Sequence, residues 1–200
     1  MSHSFPPQRR NRLRLLRLCG GLLLCFLATT AIAADANESH LLIRSAQVGL
    51  DEDVFELDTQ LELRLPPAAL KAVDGGLTLR LTYEIEVSRV RRYMPDAGVA
   101  SIEQNFELNY HALSQRYLVR NLNTGEQQDF GTLDAALARI TDVRGLPILD
   151  TALLPAGPTY EGRVRAVLDM ASAADAFGWL LFWTDDWSAA SDWYSWTLQP

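Results

Sequence analysis

The C-terminal run WTDDWSAASDWYSWTLQP holds the densest set of side chains that could do chemistry. Trp183, Trp187, Trp193 and Trp196, with Trp179 and Tyr194, fall within eighteen residues. Exposed indoles form platforms for sugar rings or protein partners. Large aromatics serve cores more often, so the competing reading has these rings plug one end of a β-sandwich, each indole N–H donating to a carbonyl. Arg89, Arg91 and Arg92 are the one basic cluster after the leader. They could dock an anionic group, or solvate a sheet edge that would otherwise invite strand pairing. His40 and His111 are the histidines after residue 33, and neither sits in a ligand-spacing motif. A catalytic or metal role for either needs a carboxylate brought in by the fold. Asp51-Glu52-Asp53 and Asp185-Asp186 lack the alternating ligands and glycine of a calcium loop, so they read as solvated turns. Ser188, Ser191 and Ser195 have no Gly-x-Ser-x-Gly context, and no glycine-rich phosphate loop occurs. No catalytic residue, metal site or cofactor is assigned from these patterns.

These side chains must be positioned by β-strands. In Leu77–Arg92 the residues Leu77, Leu79, Leu81, Tyr83, Ile85 and Val87 share one parity, while Thr78, Arg80, Thr82, Glu84, Glu86 and Ser88 share the other. Alternation of this kind predicts a long strand with one dry and one wet face, in a mostly antiparallel sheet. The parity slips at Arg89 and Val90, which predicts a β-bulge that re-aims Arg89, Arg91 and Arg92. His40–Leu50 reads as a strand with unassigned faces, joined by the acidic turn to an alternating strand over Val54–Leu65. A short helix is expected over Ala68–Val73, after Pro66-Pro67 and closed by Asp74-Gly75-Gly76. Ile102, Phe106, Leu108 and Tyr110 supply an antiparallel partner, with a second slip near Ser114-Gln115. Asn123-Thr124-Gly125 reads as a three-residue hairpin loop leading to a short strand over Gln127–Phe130. Thr132 is the expected N-cap of an amphipathic helix over residues 133–140. Pro147–Leu154 reads as an extended apolar connection, Tyr160–Asp169 as a strand, and Leu180–Trp183 as a last core strand.

The chain of 200 residues opens on Arg9, Arg10, Arg12, Arg14 and Arg17, with no acid before Asp35. An apolar run from Leu18 to Ile32 ends in Ala31-Ile32-Ala33, the pattern of a signal peptide cut after Ala33. The alternative is an uncleaved anchor over residues 13–33. Both cysteines, Cys19 and Cys25, lie in this leader, so the mature chain has no thiol for a disulfide, a metal or nucleophilic catalysis. Losing residues 1–33 leaves 13 basic against 25 acidic residues, a net charge of −12. That balance argues against nucleic acid and against electrostatic adhesion to anionic lipid.

The leader, the strand YEIEVSRVRRYMPD, the segment FELNYHALSQRYLVRNLNTGEQQDFGTLDAAL and the ending DWSAASDWYSW together resemble the DUF4390 family of proteobacterial exported proteins. Tyr110–Leu113 through Tyr117, and Phe130-x-Thr132-Leu133-Asp134-x-Ala136-Leu137, are the most specific parts. The resemblance implies a periplasmic or membrane-tethered β-rich domain with no assigned activity and no catalytic residues to carry over. Family genes often neighbour a nitrogen-regulation type sensor kinase, so it also implies an envelope membrane protein of that kind as a partner.

The expectation is therefore a leader over 1–33 and one domain over 40–200. That domain is a mainly β, antiparallel sandwich with two short helices, for which an immunoglobulin-like arrangement is one form. Its expected role is non-enzymatic binding in the periplasm, through Trp183, Trp187, Trp193 and Trp196 or through Arg89, Arg91 and Arg92. A carbohydrate-binding module using coplanar tryptophans, and a hydrolase using His40 or His111, are the alternatives.

Overall fold

Two antiparallel sheets carry the fold. A computed structural model describes residues 39–171 and 188–198. The leader, Trp179, Trp183, Trp187, Asp185-Asp186 and the strand expected over 180–183 all lie outside the described residues. The strands are β1 (His40–Asp51), β2 (Val54–Arg64), β3 (Thr78–Arg89), β4 (Ala97–His111), β5 (Arg116–Asn121), β6 (Gln127–Phe130), β7 (Asp142–Asp150), β8 (Tyr160–Ala171), β9 (Ser188–Ala190) and β10 (Tyr194–Leu198). Helices α1 (Pro67–Asp74) and α2 (Leu133–Thr141) interrupt them. One sheet runs β1-β2-β7. The other runs β10-β8-β3-β4-β5-β6, with β9 also paired to β8. Asn37–Pro200 forms one compact unit.

Period-two patterning explains the core. Leu79, Leu81, Tyr83, Ile85 and Val87 of β3 are buried, and Thr78 to Ser88 on the other parity are half exposed. Phe106 and Leu108 of β4, Val119 of β5, and Val164, Ala166 and Leu168 of β8 continue this dry face. Three strands cannot cover seven. β1 lies over β8, β9 and β10, while α2 packs against β5 and β6 and reaches β2. Thr132 caps α2 by accepting the Ala135 N–H. At its other end the Tyr83 hydroxyl donates to the Ile140 carbonyl at 2.8 Å. That carbonyl belongs to the last turn, where no intrahelical donor remains. Burial pushes the Tyr83 phenol far above its ordinary value, and Asp142 adds to the rise.

The structure departs from the sequence expectations at three places, and it settles the faces of β1 that the sequence leaves open. The bulge predicted in β3 sits in its partner. Val87 pairs with Ala100 and Ser88 with Gly98, so Val99 of β4 is the extra residue. β3 ends at Arg89, and Arg91 and Arg92 lie in the following loop. The slip near Ser114-Gln115 is instead the β4–β5 turn, closed by the His111–Arg116 pair with Gln115 at φ +53°. The connection over Pro147–Leu154 belongs largely to β7, an edge strand paired to β2 and doubly bulged, with Gly145 at φ +60°. Pro is tolerated there because an edge strand has no second neighbour for its missing N–H. The faces of β1 change at Arg44, an extra residue that moves the buried set from Leu41 and Ile43 to Ala46. The hairpin loop at Gly125 has φ +77°, as its sequence predicts.

Replacing Tyr83 by Phe removes the donor and leaves a buried carbonyl unpaired. The unfolding free energy should fall by about 1–3 kcal/mol, read as a lower urea midpoint with an unchanged slope.

Candidate interaction surface

The wet face of the seven-stranded sheet is a ladder of charge pairs. Glu84 and Glu86 of β3 stand opposite Arg165 and Arg163 of β8. Arg165 Nε reaches Glu84 Oε2 at 2.6 Å, and Arg163 Nε reaches Glu86 Oε2 at 2.9 Å. On the other side of β3, Arg80 Nη2 reaches Glu107 Oε1 at 2.9 Å. Trp193 lies across the first two rungs, with the Arg163 and Arg165 guanidinium carbons 4.5 and 4.7 Å from its ring centre. Its quadrupole is thus occupied by cations of the same molecule.

Trp196 faces the other way. It pairs with Gly162 on the core side, between Tyr194 and Leu198. A Cβ at Gly162 would fall inside the Trp196 indole, so only glycine allows this approach. The Trp196 Nε1–H is buried without a partner among the described residues, unlike the carbonyl-bonded indoles expected. Trp193 and Trp196 therefore occupy opposite sheet faces and form no coplanar platform together. Ser191 is buried, its Oγ accepting the Ala166 N–H and donating to the Asp192 carbonyl, which makes it a structural bridge.

The remaining polar residues are dispersed. The His111 Nδ1 lies 2.9 Å from Ser114 Oγ on the exposed β4–β5 turn. No third group orients that ring among the described residues, as a nucleophilic triad requires. An open hollow of about 290 Å³ lies beside the β4 bulge, lined by Glu86, Ser88, Val99 and Ser101 among others. A polar groove of about 140 Å³ on the three-stranded sheet is lined by residues including Gln47, Asp58, Gln60, Asp142 and Arg144. Neither contains a histidine. Among the described residues no three His, Cys, Asp or Glu side chains converge to hold a metal. No helix among them is long and apolar enough to cross a membrane.

Several strongly exposed apolar side chains lie at one end of the sheets, while Leu113, the most exposed of all, lies beyond the opposite end of β4. Tyr93 is 86% exposed and Met94 is 63% exposed in the loop between β3 and β4, alongside exposed Val90. Leu50, 59% exposed, lies at the end of β1, and Leu153, 60% exposed, lies just after β7. The segment between β7 and β8 ties these loops together. Thr151 N–H bonds the Asp53 carbonyl at 2.8 Å, and Val90 N–H bonds the Thr159 carbonyl at 2.9 Å. Arg89, Arg91 and Arg92 belong to the same end, Arg92 lying 5.5 Å from the Tyr93 ring centre. Arg91 is held by its backbone N–H to Asp96 Oδ1 at 2.9 Å, while its Nε is buried without a partner among the described residues. Arg92 thus packs on Tyr93, whereas Trp193 stacks on Arg163 and Arg165. Tyr93, Met94, Leu50 and Leu153 were not signalled by periodicity. Their mark in the sequence is apolar character inside segments rich in turn residues.

A family profile, the domain of unknown function DUF4390, matches residues 38–197. The chain belongs to the DUF4390 family. The DUF4390 match spans both sheets and both helices. No curated protein matches the chain, and no solved structure does.

Two outcomes follow from this geometry. Gly162→Ala should displace the Trp196 indole, at a cost of about 1–3 kcal/mol, with a red shift in tryptophan emission. Asp169 is the second. Burial raises its carboxyl above the ordinary value, Arg80 pulls it down, and Glu107 raises it again. A raised carboxyl contributes stability that is fully present below its unfolded value and is lost as pH rises through its folded value. Asp169→Asn should therefore be more stable than the parent at neutral pH, and pH-dependent melting should show that advantage vanish in acid.

Proposed function

We propose that this DUF4390 domain is a non-enzymatic, exported interaction domain of the periplasm that meets a protein partner through the end bearing the β3–β4 loop. The supporting observation is the concentration there of exposed Tyr93 and Met94 beside Arg89, Arg91 and Arg92. Tyr, Met and Arg are the residue types enriched where proteins bind one another. A loop anchored at both ends by β3 and β4 presents them with little ordering cost. The arginine-rich leader and its Ala31-x-Ala33 ending support export. The partner is a protein of the same compartment.

The test is photo-crosslinking in intact cells. A photoreactive residue at Tyr93 should give discrete protein adducts. One at Leu113, 94% exposed beyond the far end of the 15-residue β4, should not. Equal adducts from both positions, or none from Tyr93, would overturn the reading.

A further inference from the structure

Charge is arranged unevenly at this end. Arg44, Arg64, Arg80, Arg116, Arg144, Arg163 and Arg165 all sit in ion pairs. Arg89, Arg91 and Arg92 make none among the described residues, and neither do Asp51, Glu52 and Asp53 at the tip of the β1–β2 hairpin. The basic group belongs to the seven-stranded sheet and the acidic group to the three-stranded sheet. Packed sheets stand about 10 Å apart, and the Thr151–Thr159 segment links the two groups through Asp53 and Val90. Asp96 lies on the basic side, with Oδ1 engaged by the Arg91 backbone. Leu50, Leu153, Tyr93 and Met94 supply exposed apolar area on both sides.

A surface with a basic half and an acidic half, both unpaired and flanked by apolar side chains, is self-complementary. A two-fold axis between the halves lays each basic group on the acidic group of the mate. We propose that this end seats the same end of a second copy of the chain. Arg91 and Arg92 of each copy face Asp51 and Asp53 of the other. The inference rests on reading this end as the contact surface. An anionic bilayer fits it worse, because Asp51, Glu52 and Asp53 would approach the same headgroups as the arginines.

Sedimentation of the protein purified from the envelope, as the cell processes it, tests the pairing. The chain should sediment as a dimer at low salt and dissociate as salt rises. Arg91→Glu with Arg92→Glu, and separately Asp51→Lys with Asp53→Lys, should each weaken association about tenfold or more. An equimolar mixture of the two variants should restore the dimer. Circular dichroism identical to the parent shows that both variants are folded. A monomer at low salt, a dimer indifferent to both reversals, or capture by anionic phosphatidylglycerol vesicles in place of dimerisation would each overturn the proposal. A monomer whose Tyr93 position still crosslinks to a different protein overturns the pairing alone. A monomer with no Tyr93 adduct overturns the contact surface as well.

Discussion

β3 is hydrogen-bonded on both sides, to β4 and to β8, and it is dry on one face along its whole length. That single asymmetry organises the molecule. Each of its buried aliphatic side chains contributes about 1.5–3 kcal/mol as an upper figure for area removed from water. The face they create is wider than the three-stranded sheet that lies over it. The deficit is made up by α2, whose last turn is pinned to the middle of β3 through Tyr83 and Ile140. The helix is thus located by a hydroxyl in the centre of the core, as well as by its own apolar stripe.

The opposite face does different work. Its pairs are each worth only about 0–1 kcal/mol at their exposure, so they add little to stability. Their value is register. Glu84, Glu86 and Arg80 meet Arg165, Arg163 and Glu107 only in the observed alignment. A slip of one residue would turn every charge into the core and every core residue outward. Trp193 stacks on the arginines of the two rungs nearest β10.

Strands whose alternation is unbroken, β2, β3 and β8, were legible in the sequence, as were β4 from Ile102 onward, the Gly125 loop and the Thr132 cap. β1 was legible as a strand but not in its faces, and β7 was not legible as a strand, because each carries an inserted residue that reverses the parity midway. The parity slip at Arg89 predicts a bulge in β3, yet the inserted residue is Val99 of β4, since a parity slip also arises where a strand simply ends. For the proposed contact surface, the arginine trio could be read as a cluster, whereas Tyr93 and Met94 lie in a loop with no period to betray them. The stack of Trp193 on Arg163 and Arg165 joins residues some thirty positions apart across an antiparallel pair, which no local pattern encodes. Trp183 and Trp187 lie outside the described residues.

The connectivity also dictates a timetable for assembly. Neighbouring hairpins such as β1–β2 and β4–β5 close over short loops. The Glu84–Arg165 contact spans 81 residues, and Asp58 meets Gly145 across 87. Both central strands, β2 and β3, therefore keep an open edge until the last third of the polypeptide arrives. Loops of that size close slowly, and an unpaired greasy strand is an invitation to misassembly in the interval. For a chain that emerges N-terminus first, the aggregation hazard is concentrated in the time between emergence of β3 and docking of β8.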